Sequence, residues 1–253
     1  MSGPALALPA HAKLNLELTV TGRLEGGEHS IDTIFQAISL HDVLELEVAD
    51  ETSLEVIAGD APSGPENLVL RAAAELERAA GRSLPARFRL LKRIPTGAGL
   101  GGGSSDAATA LRGLERLYGL KVDLGPVAAR LGADVAFFLK GGAARGQGRG
   151  ELLTSLPTSR GAYALAWPGF AVSTAAVYRA WDEVGGEGRN QLARAAFKVE
   201  PRLVEFAARL GERWQLTGSG GAFFRACISQ PEAAAAIAPL DCWTSVAAPV
   251  AAW

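Results

Sequence analysis

Residues 95–106 read Pro-Thr-Gly-Ala-Gly-Leu-Gly-Gly-Gly-Ser-Ser-Asp, with glycine at five of the twelve positions. Glycine loses more backbone entropy on ordering than any other residue, so an ordered loop of this composition needs a compensating reason. The usual one is a ligand that approaches backbone N–H groups where a Cβ would stand in the way. Directly after it, Ala107, Ala110, Leu111, Leu114, Leu117 and Tyr118 recur at helical spacing. Ser104, Ser105 or Asp106 is expected to cap that helix. A glycine loop feeding a helix start concentrates free N–H groups and the positive end of the helix dipole at one point. The stretch therefore reads as a phosphate cradle.

Composition narrows what surrounds it. A chain of 253 residues, 48% hydrophobic and 21% charged, has the profile of a soluble globular protein of two modest domains. A formal net charge of -2 without a Lys/Arg cluster provides no field for nucleic acid. No apolar run approaches the roughly 20 residues of a membrane helix, and the start of the chain lacks the features of a signal peptide. Cys227 and Cys242 lie in apolar surroundings without metal-ligand spacing, as expected of reduced thiols in a cytoplasmic protein.

Leu14, Leu16, Leu18 and Val20 alternate with Lys13, Asn15, Glu17 and Thr19, a half-buried strand. Lys13 and Asn15 share its polar face, about 7 Å apart. Thr21–Ser30 reads as a loop, Val43–Val48 and Leu54–Ile57 as strands, and Asn67–Ala80 as a helix stopped by Gly81. Phe88–Leu91 delivers the glycine loop. A short helix follows (126–131), with Gly132 as its stop, and then Asp134 before an apolar run. Gly141–Gly150 reads as a second glycine-rich turn region. From residue 162 the pattern is strand (162–167), helix (174–184), helical runs broken at Pro201, strand (214–217), strand (222–228), helix (231–237) and strand (243–247). With the extra helices set aside the order is β-α-β-β-α-β, the split βαβ arrangement. The five tryptophans read as core.

Two other phosphate-binding folds fit poorly. Gly97 to Gly102 formally matches the dinucleotide fingerprint, but Lys92, Arg93, Ile94 and Pro95 precede it and no series of βαβ units follows. The P-loop lysine is missing. Phosphoryl transfer further requires a metal ion and a group that aligns or deprotonates the attacking hydroxyl. Asp134 is a candidate by position, although a simple helix cap has the same pattern, and Lys13 on a polar strand face is ordinarily solvated. The Gly218–Gly221 turn fits a plain hairpin or a ligand-covering loop, and His29 a surface residue.

The chain resembles the GHMP kinases, which include galactokinase, homoserine kinase and mevalonate kinase. The resemblance is carried by residues 12–16 (Ala-Lys-Leu-Asn-Leu), 92–108, 131–139, 148–151, 167–169 and 216–224, in the family's order across nearly the whole chain. Within the family it is most similar to members acting on a cytidine diphosphate-linked polyol. The resemblance implies an α+β, two-domain fold: a ribosomal S5 domain 2-like N-terminal domain over 1–155 and a ferredoxin-like domain over 156–253. It implies ATP and Mg2+, with ATP bound by Pro95, Thr96, Gly97, Ala98, Gly99, Leu100, Gly101, Gly102, Gly103, Ser104 and Ser105, and Asn67 and Lys92 near the nucleoside. Asp134 would orient or deprotonate the acceptor hydroxyl, and Lys13 would stabilise its developing charge. Asn15, His29, Tyr178 and Arg179 match the substrate pocket, where the aromatic stacks on the cytosine. A monomer or weak homodimer is expected. Where the family usually reads Gly-Tyr-His, this chain has Gly27-Glu28-His29. Loss of one stacking aromatic, worth about 1–3 kcal/mol, predicts weaker cytidyl binding. Ala136 and Gln191 also depart from the usual proline and acid. These departures leave open an acceptor such as mevalonate or homoserine, or a silent nucleotide-binding relative.

Overall fold

The computed structural model describes residues 5–253. They form two compact units that interleave along the chain: residues up to Ala12, His41–Thr96 and Gly101–Lys140 in one, and Lys13–Leu40, Gly97–Leu100 and Gly141–Trp253 in the other. Two long strands, β1 (Ala5–Arg23) and β2 (His29–Val48), pair with each other and contribute to both.

In the first unit, β4 (Ala86–Leu91) pairs antiparallel with Val43–Val48 of β2 and parallel with β3 (Ser53–Ala58). Leu44, Leu46, Phe88 and Leu90 are buried on these strands. The helices of this unit are α1 (Leu68–Ala80), α2 (Gly102–Tyr118), α3 (Leu124–Leu131) and α4 (Ala133–Lys140), and they pack on one another. The helix expected over 67–80 is present, with Asn67 as its N-cap and Gly81 in the left-handed region as its stop. The expected capping of α2 is corrected. The helix begins at Gly102 behind a left-handed Gly101, with no side-chain cap, so Ser104, Ser105 and Asp106 lie inside its first two turns. The glycine run itself adopts helical geometry where a propensity argument would end it.

The second unit holds β5 (Ala143–Gly148), paired with Ile31–Gln36 of β2, and β6 (Leu152–Leu156) beside β5. Two expectations are overturned here. Residues 29–42 belong to β2, whose residues 35–38 are all buried, and a strand covered on both faces loses its alternating pattern. The 141–150 region is a strand over 143–148, because its small residues lie against an aromatic side chain. A Cβ on Gly146 would stand 2.6 Å from the Phe35 ring, which is the close approach that glycine permits in a strand.

The same unit contains a four-stranded sheet in the order β10-β7-β9-β8: β7 (Ala162–Trp167), β8 (Gln215–Leu216), β9 (Phe223–Cys227) and β10 (Trp243–Ala247). All of its pairings are antiparallel. Strand order 4-1-3-2 within this set is the ferredoxin-like arrangement expected from the element count. Ala162, Ala164 and Ala166 share one face of β7. Ala166 joins a core with α5 (Thr174–Val184), α6 (Ala193–Val199) and α7 (Arg202–Leu210), while Ala162 and Ala164 pack with Ala233 of α8 (Gln230–Ile237). The helices thus cover one face of the sheet. The tryptophans are corrected from core residues: four are half-buried, and Trp253 is exposed. Cys227 and Cys242 are free thiols, the first buried.

Candidate active site

Every second residue of the glycine stretch takes a backbone conformation open chiefly to glycine: Gly97, Gly99 and Gly101 have φ of 74°, 84° and 74°. In the second unit, residues 97–100 are held by backbone groups on two sides. Lys13 N donates to Leu100 O at 2.9 Å, and Ala222 N donates to Ala98 O at 2.9 Å. Gly99 meets the Gly218–Gly221 turn backbone to backbone, where a Cβ on it would stand 2.7 Å from Gly220 Cα. The turn after β8 therefore braces the loop, a role beyond that of a plain hairpin. In the first unit the loop runs into α2, whose start carries no side-chain cap and no acidic residue in its first turn. Helix-start N–H groups without a capping acceptor favour an anion.

Lys13 is buried, 5% exposed, although its residue type and strand position read as solvated. Its Nζ donates to Asn15 Oδ1 and lies 5.4 Å from the centre of the Phe35 ring. Asn15 is engaged on every side: its backbone N donates to Thr217 Oγ1 at 2.9 Å, and Nδ2 donates to Thr33 Oγ1 at 2.8 Å. Thr33 Oγ1 in turn donates to Glu17 O at 2.6 Å. A lysine ammonium aimed by an amide that is itself anchored on Thr33 is held in direction, and burial strengthens its field. Thr217 and Thr33, both buried, complete this arrangement; Thr217 lies in the 216–224 stretch, whereas Thr33 carries no sequence signal.

His29 opens β2. Its Nε2 is 2.7 Å from Asp182 Oδ1, its ring stacks on Tyr178 at 5.0 Å with 24° between planes, and it meets Trp181 edge-on at 5.5 Å. Arg23 Nη2 donates to Asp182 Oδ2 at 2.6 Å. The hydrogen bonds from His29 and Arg23 hold the Asp182 carboxyl below the usual carboxylate range. The structure thus brings together His29 and Tyr178 from distant segments, and adds Asp182, which no sequence pattern singles out. Arg179, next on α5, is exposed. Glu28 is exposed and lies 3.5 Å from Arg149 Nη1.

In the first unit, Asn67 caps α1 with Oδ1 on Val69 N and donates Nδ2 to Pro62 O. Thr96 Oγ1 donates to Asp60 O at 2.5 Å. Lys92 Nζ is held between Asp42 and Asp106, with its side chain 5% exposed. Burial would lower the Lys92 pKa, but the charges of Asp106 and Asp42 raise it overall. Asp106 is driven up to about 7, by burial first, against the pull of Lys92 and with the push of Asp42. Asp134 is the second residue of α4, in its first turn and half-buried. Among the described residues no group of three or more His, Cys, Asp or Glu side chains could hold a metal ion, and no helix is long and apolar enough to cross a membrane.

Loop, helix start and ferredoxin-like sheet direct the comparison with known proteins. The pattern describing the GHMP kinases N terminal domain matches residues 67–142, from the α1 cap to just past α4. A 4-diphosphocytidyl-2-C-methyl-D-erythritol kinase of Thermus thermophilus is 40% identical over 92% of this chain and 92% of its own. One from Moorella thermoacetica is 47% identical over 72% of this chain, a match spanning 65% of its own length. A crystal structure of 4-(cytidine 5'-diphospho)-2C-methyl-D-erythritol kinase superposes with a TM-score of 0.79 at 37% identity, covering 96% of this chain and 99% of that one. The chain belongs to the GHMP kinase family and, within it, stands among relatives named 4-diphosphocytidyl-2-C-methyl-D-erythritol kinase. The two-domain α+β fold of that family is the fold found here.

Proposed function

We propose that this protein transfers the γ-phosphoryl group of ATP to the 2-hydroxyl of 4-diphosphocytidyl-2-C-methyl-D-erythritol, releasing ADP, in non-mevalonate isoprenoid precursor synthesis in the cytoplasm. The observation that carries the reading is the 40% identity to the Thermus thermophilus relative over 92% of both chains. The glycine loop from Pro95 to Ser105 binds the ATP phosphates through backbone N–H groups, and Asn67 and Lys92 support the nucleoside side. Asp134 receives or orients the proton of the acceptor hydroxyl, whose oxygen then attacks the γ-phosphorus. Lys13 stabilises the charge that develops on that oxygen. Catalysis of this kind is positioning and charge stabilisation, which the buried, amide-directed Lys13 suits. Asn15, His29, Tyr178 and Arg179 are assigned to the acceptor.

Magnesium supplies charge neutralisation across the phosphates. Such an ion keeps several waters and substrate phosphates as ligands, and the hydroxyls of Ser104 and Ser105 would be the candidate protein donors beside the loop. A family division at 1–155 and 156–253 and a monomeric or weakly dimeric state, without nucleic-acid or membrane partners, complete the proposal.

One observation favours a second reading. Glu28 replaces the usual tyrosine, which points to another small alcohol such as mevalonate or homoserine. An ATP-consumption assay with magnesium and a panel of the three alcohols separates the two. Turnover of the cytidyl compound far above the others is expected; absence of its turnover refutes the assignment.

A further inference from the structure

We infer that Asp42, Lys92 and Asp106 form a buried staple that closes the glycine loop at both of its ends, making Asp42 and Asp106 positioning residues for ATP. The three side chains come from β2, from the segment after β4 and from α2. Asp42 Oδ1 accepts the backbone N–H of Arg93 at 2.5 Å and that of Ile94 at 2.8 Å. Those are the two residues before Pro95, where the loop begins. Asp42 Oδ2 accepts from Lys92 Nζ, and the same ammonium donates to Asp106 Oδ2 at 2.8 Å. Asp106 follows Ser105, where the loop ends. One ammonium thus ties the entry of the eleven-residue stretch to its exit, while one carboxylate fixes the entry strand to β2.

The environment suits a fixed tie. Asp42 is fully buried, Asp106 is 2% exposed and the Lys92 side chain 5% exposed. Charge-assisted bonds of this type strengthen away from water, and breaking one partner of such a cluster has a large effect. Gly102 is shaped to it as well: a Cβ there would stand 3.0 Å from Lys92 Nζ and 3.0 Å from Ile94 Cγ2. The ammonium therefore passes directly beneath the helix start that the loop feeds. Two of the three Lys92 donors are committed to carboxylates and its side chain is 5% exposed, so in the staple Lys92 acts on ATP through the loop. Three glycines at positive φ leave the loop backbone little stiffness of its own, and fixed ends supply it.

The inference rests on the reading that this loop binds ATP phosphates, and the test separates the two. ATP affinity is measured directly by titration calorimetry, beside steady-state kinetics, for the unsubstituted chain, Asp106→Leu, Asp106→Asn, Lys92→Leu, the double variant Lys92→Leu/Asp106→Leu, and Gly102→Ala. Asp106→Leu cuts the tie while leaving the Lys92–Asp42 pair balanced. It is expected to weaken ATP binding and raise KM for ATP by about tenfold, the scale of a small misplacement of a binding group, with KM for the acceptor unchanged. Asp106→Asn keeps an acceptor oxygen for Lys92 and should recover most of the affinity. Lys92→Leu cuts the same tie but leaves Asp42 and Asp106 buried without their counter-ion, so it should weaken ATP binding at least as much as Asp106→Leu, and the double variant should be no worse than Lys92→Leu. Gly102→Ala, whose methyl presses on the ammonium but also stands in the loop itself, is a further comparison; should the Lys92 variants fail to fold, Asp106→Leu against Asp106→Asn carries the test. A normal ATP affinity in Asp106→Leu overturns the staple, as does a double variant that loses the two single effects added together, which would mark independent roles for Lys92 and Asp106. Failure of the unsubstituted chain to bind ATP overturns the reading of the loop, and the staple with it.

Discussion

Asp134 carries the chemistry in the proposed mechanism, and its replacement is the most direct single-residue test. Asp134→Asn keeps the size of the side chain in the first turn of α4 but removes proton acceptance. General-base contributions are typically about 10²–10⁴-fold, so kcat should fall by about that factor while far-UV circular dichroism and Tm stay at wild-type values; full activity in this variant would remove Asp134 from the mechanism. Glu28 permits a gain-of-function test. Glu28→Tyr restores the family's usual residue, and one stacking contact, worth about 1–3 kcal/mol, should lower KM for the cytidyl substrate by about ten- to a hundredfold with KM for ATP unaffected. An unchanged KM for that substrate would show that position 28 does not face the base. Lys13 and His29 show what residue type alone conceals. The sequence reads each as a surface group, whereas Lys13 is buried on Asn15 and His29 is held by Asp182 and Tyr178. Asn15 is a near neighbour of Lys13, but the Phe35 ring that covers Lys13 and the Asp182 and Tyr178 that hold His29 lie far away in the sequence, so no local pattern marks their burial.

At the scale of elements, the informative contact is glycine against glycine. The turn between β8 and β9 and residues 97–100 approach so closely that a Cβ on Gly220 would stand 2.3 Å from Gly99 Cα and 2.4 Å from Ala98 O. Neither backbone can yield by a rotamer change. Gly220→Ala should therefore displace the loop, raising KM for ATP at least tenfold on the scale of small misplacements of binding groups and lowering Tm; wild-type values for both would show that the turn moves freely. The sequence displayed both glycine runs but gave no sign that they meet. Helix limits were more legible, because a cap is a local event: Asn67 and Gly81 bound α1, and Ser173 caps α5. Strands were less so. The first half of β2 and all of β5 escaped because burial on both faces, and packing of Gly146 against Phe35, erase the alternating signature.

At the scale of the whole molecule, the buried Asp106 makes stability depend on pH. Its carboxyl titrates at about 7 in the folded chain against 3.8 as its ordinary value, through burial first. Between those values the folded chain holds a proton that the unfolded chain has released. Raising the pH through that window therefore favours unfolding, and the stabilisation is lost above about 7. Urea titrations of the parent and Asp106→Asn should show their stability difference shifting against the parent by on the order of 2 kcal/mol between pH 5 and pH 8. Parallel curves across that range would mean that Asp106 is ionised throughout. The carboxylates held low by arginine or histidine, such as Asp32 and Asp182, act in the opposite sense at acid pH, so they leave this window clear.

The sequence by itself determined the β-α-β-β-α-β order of the second half and marked out the glycine stretch proposed as the phosphate cradle. It also determined the family, through motifs that survive in order along the chain. These follow from local physics: glycine's backbone freedom, caps, and the spacing of apolar residues. Tertiary structure alone decided that Lys13 is buried and directed by Asn15, that Gly99 rests on Gly220, and that Lys92 spends its charge between Asp42 and Asp106. The burial of Lys13 under Phe35 and the contacts of Gly99 with Gly220 and of Lys92 with Asp42 and Asp106 join residues many positions apart. Such contacts depend on which surfaces the folded chain brings together, and residue type and spacing carry no record of that.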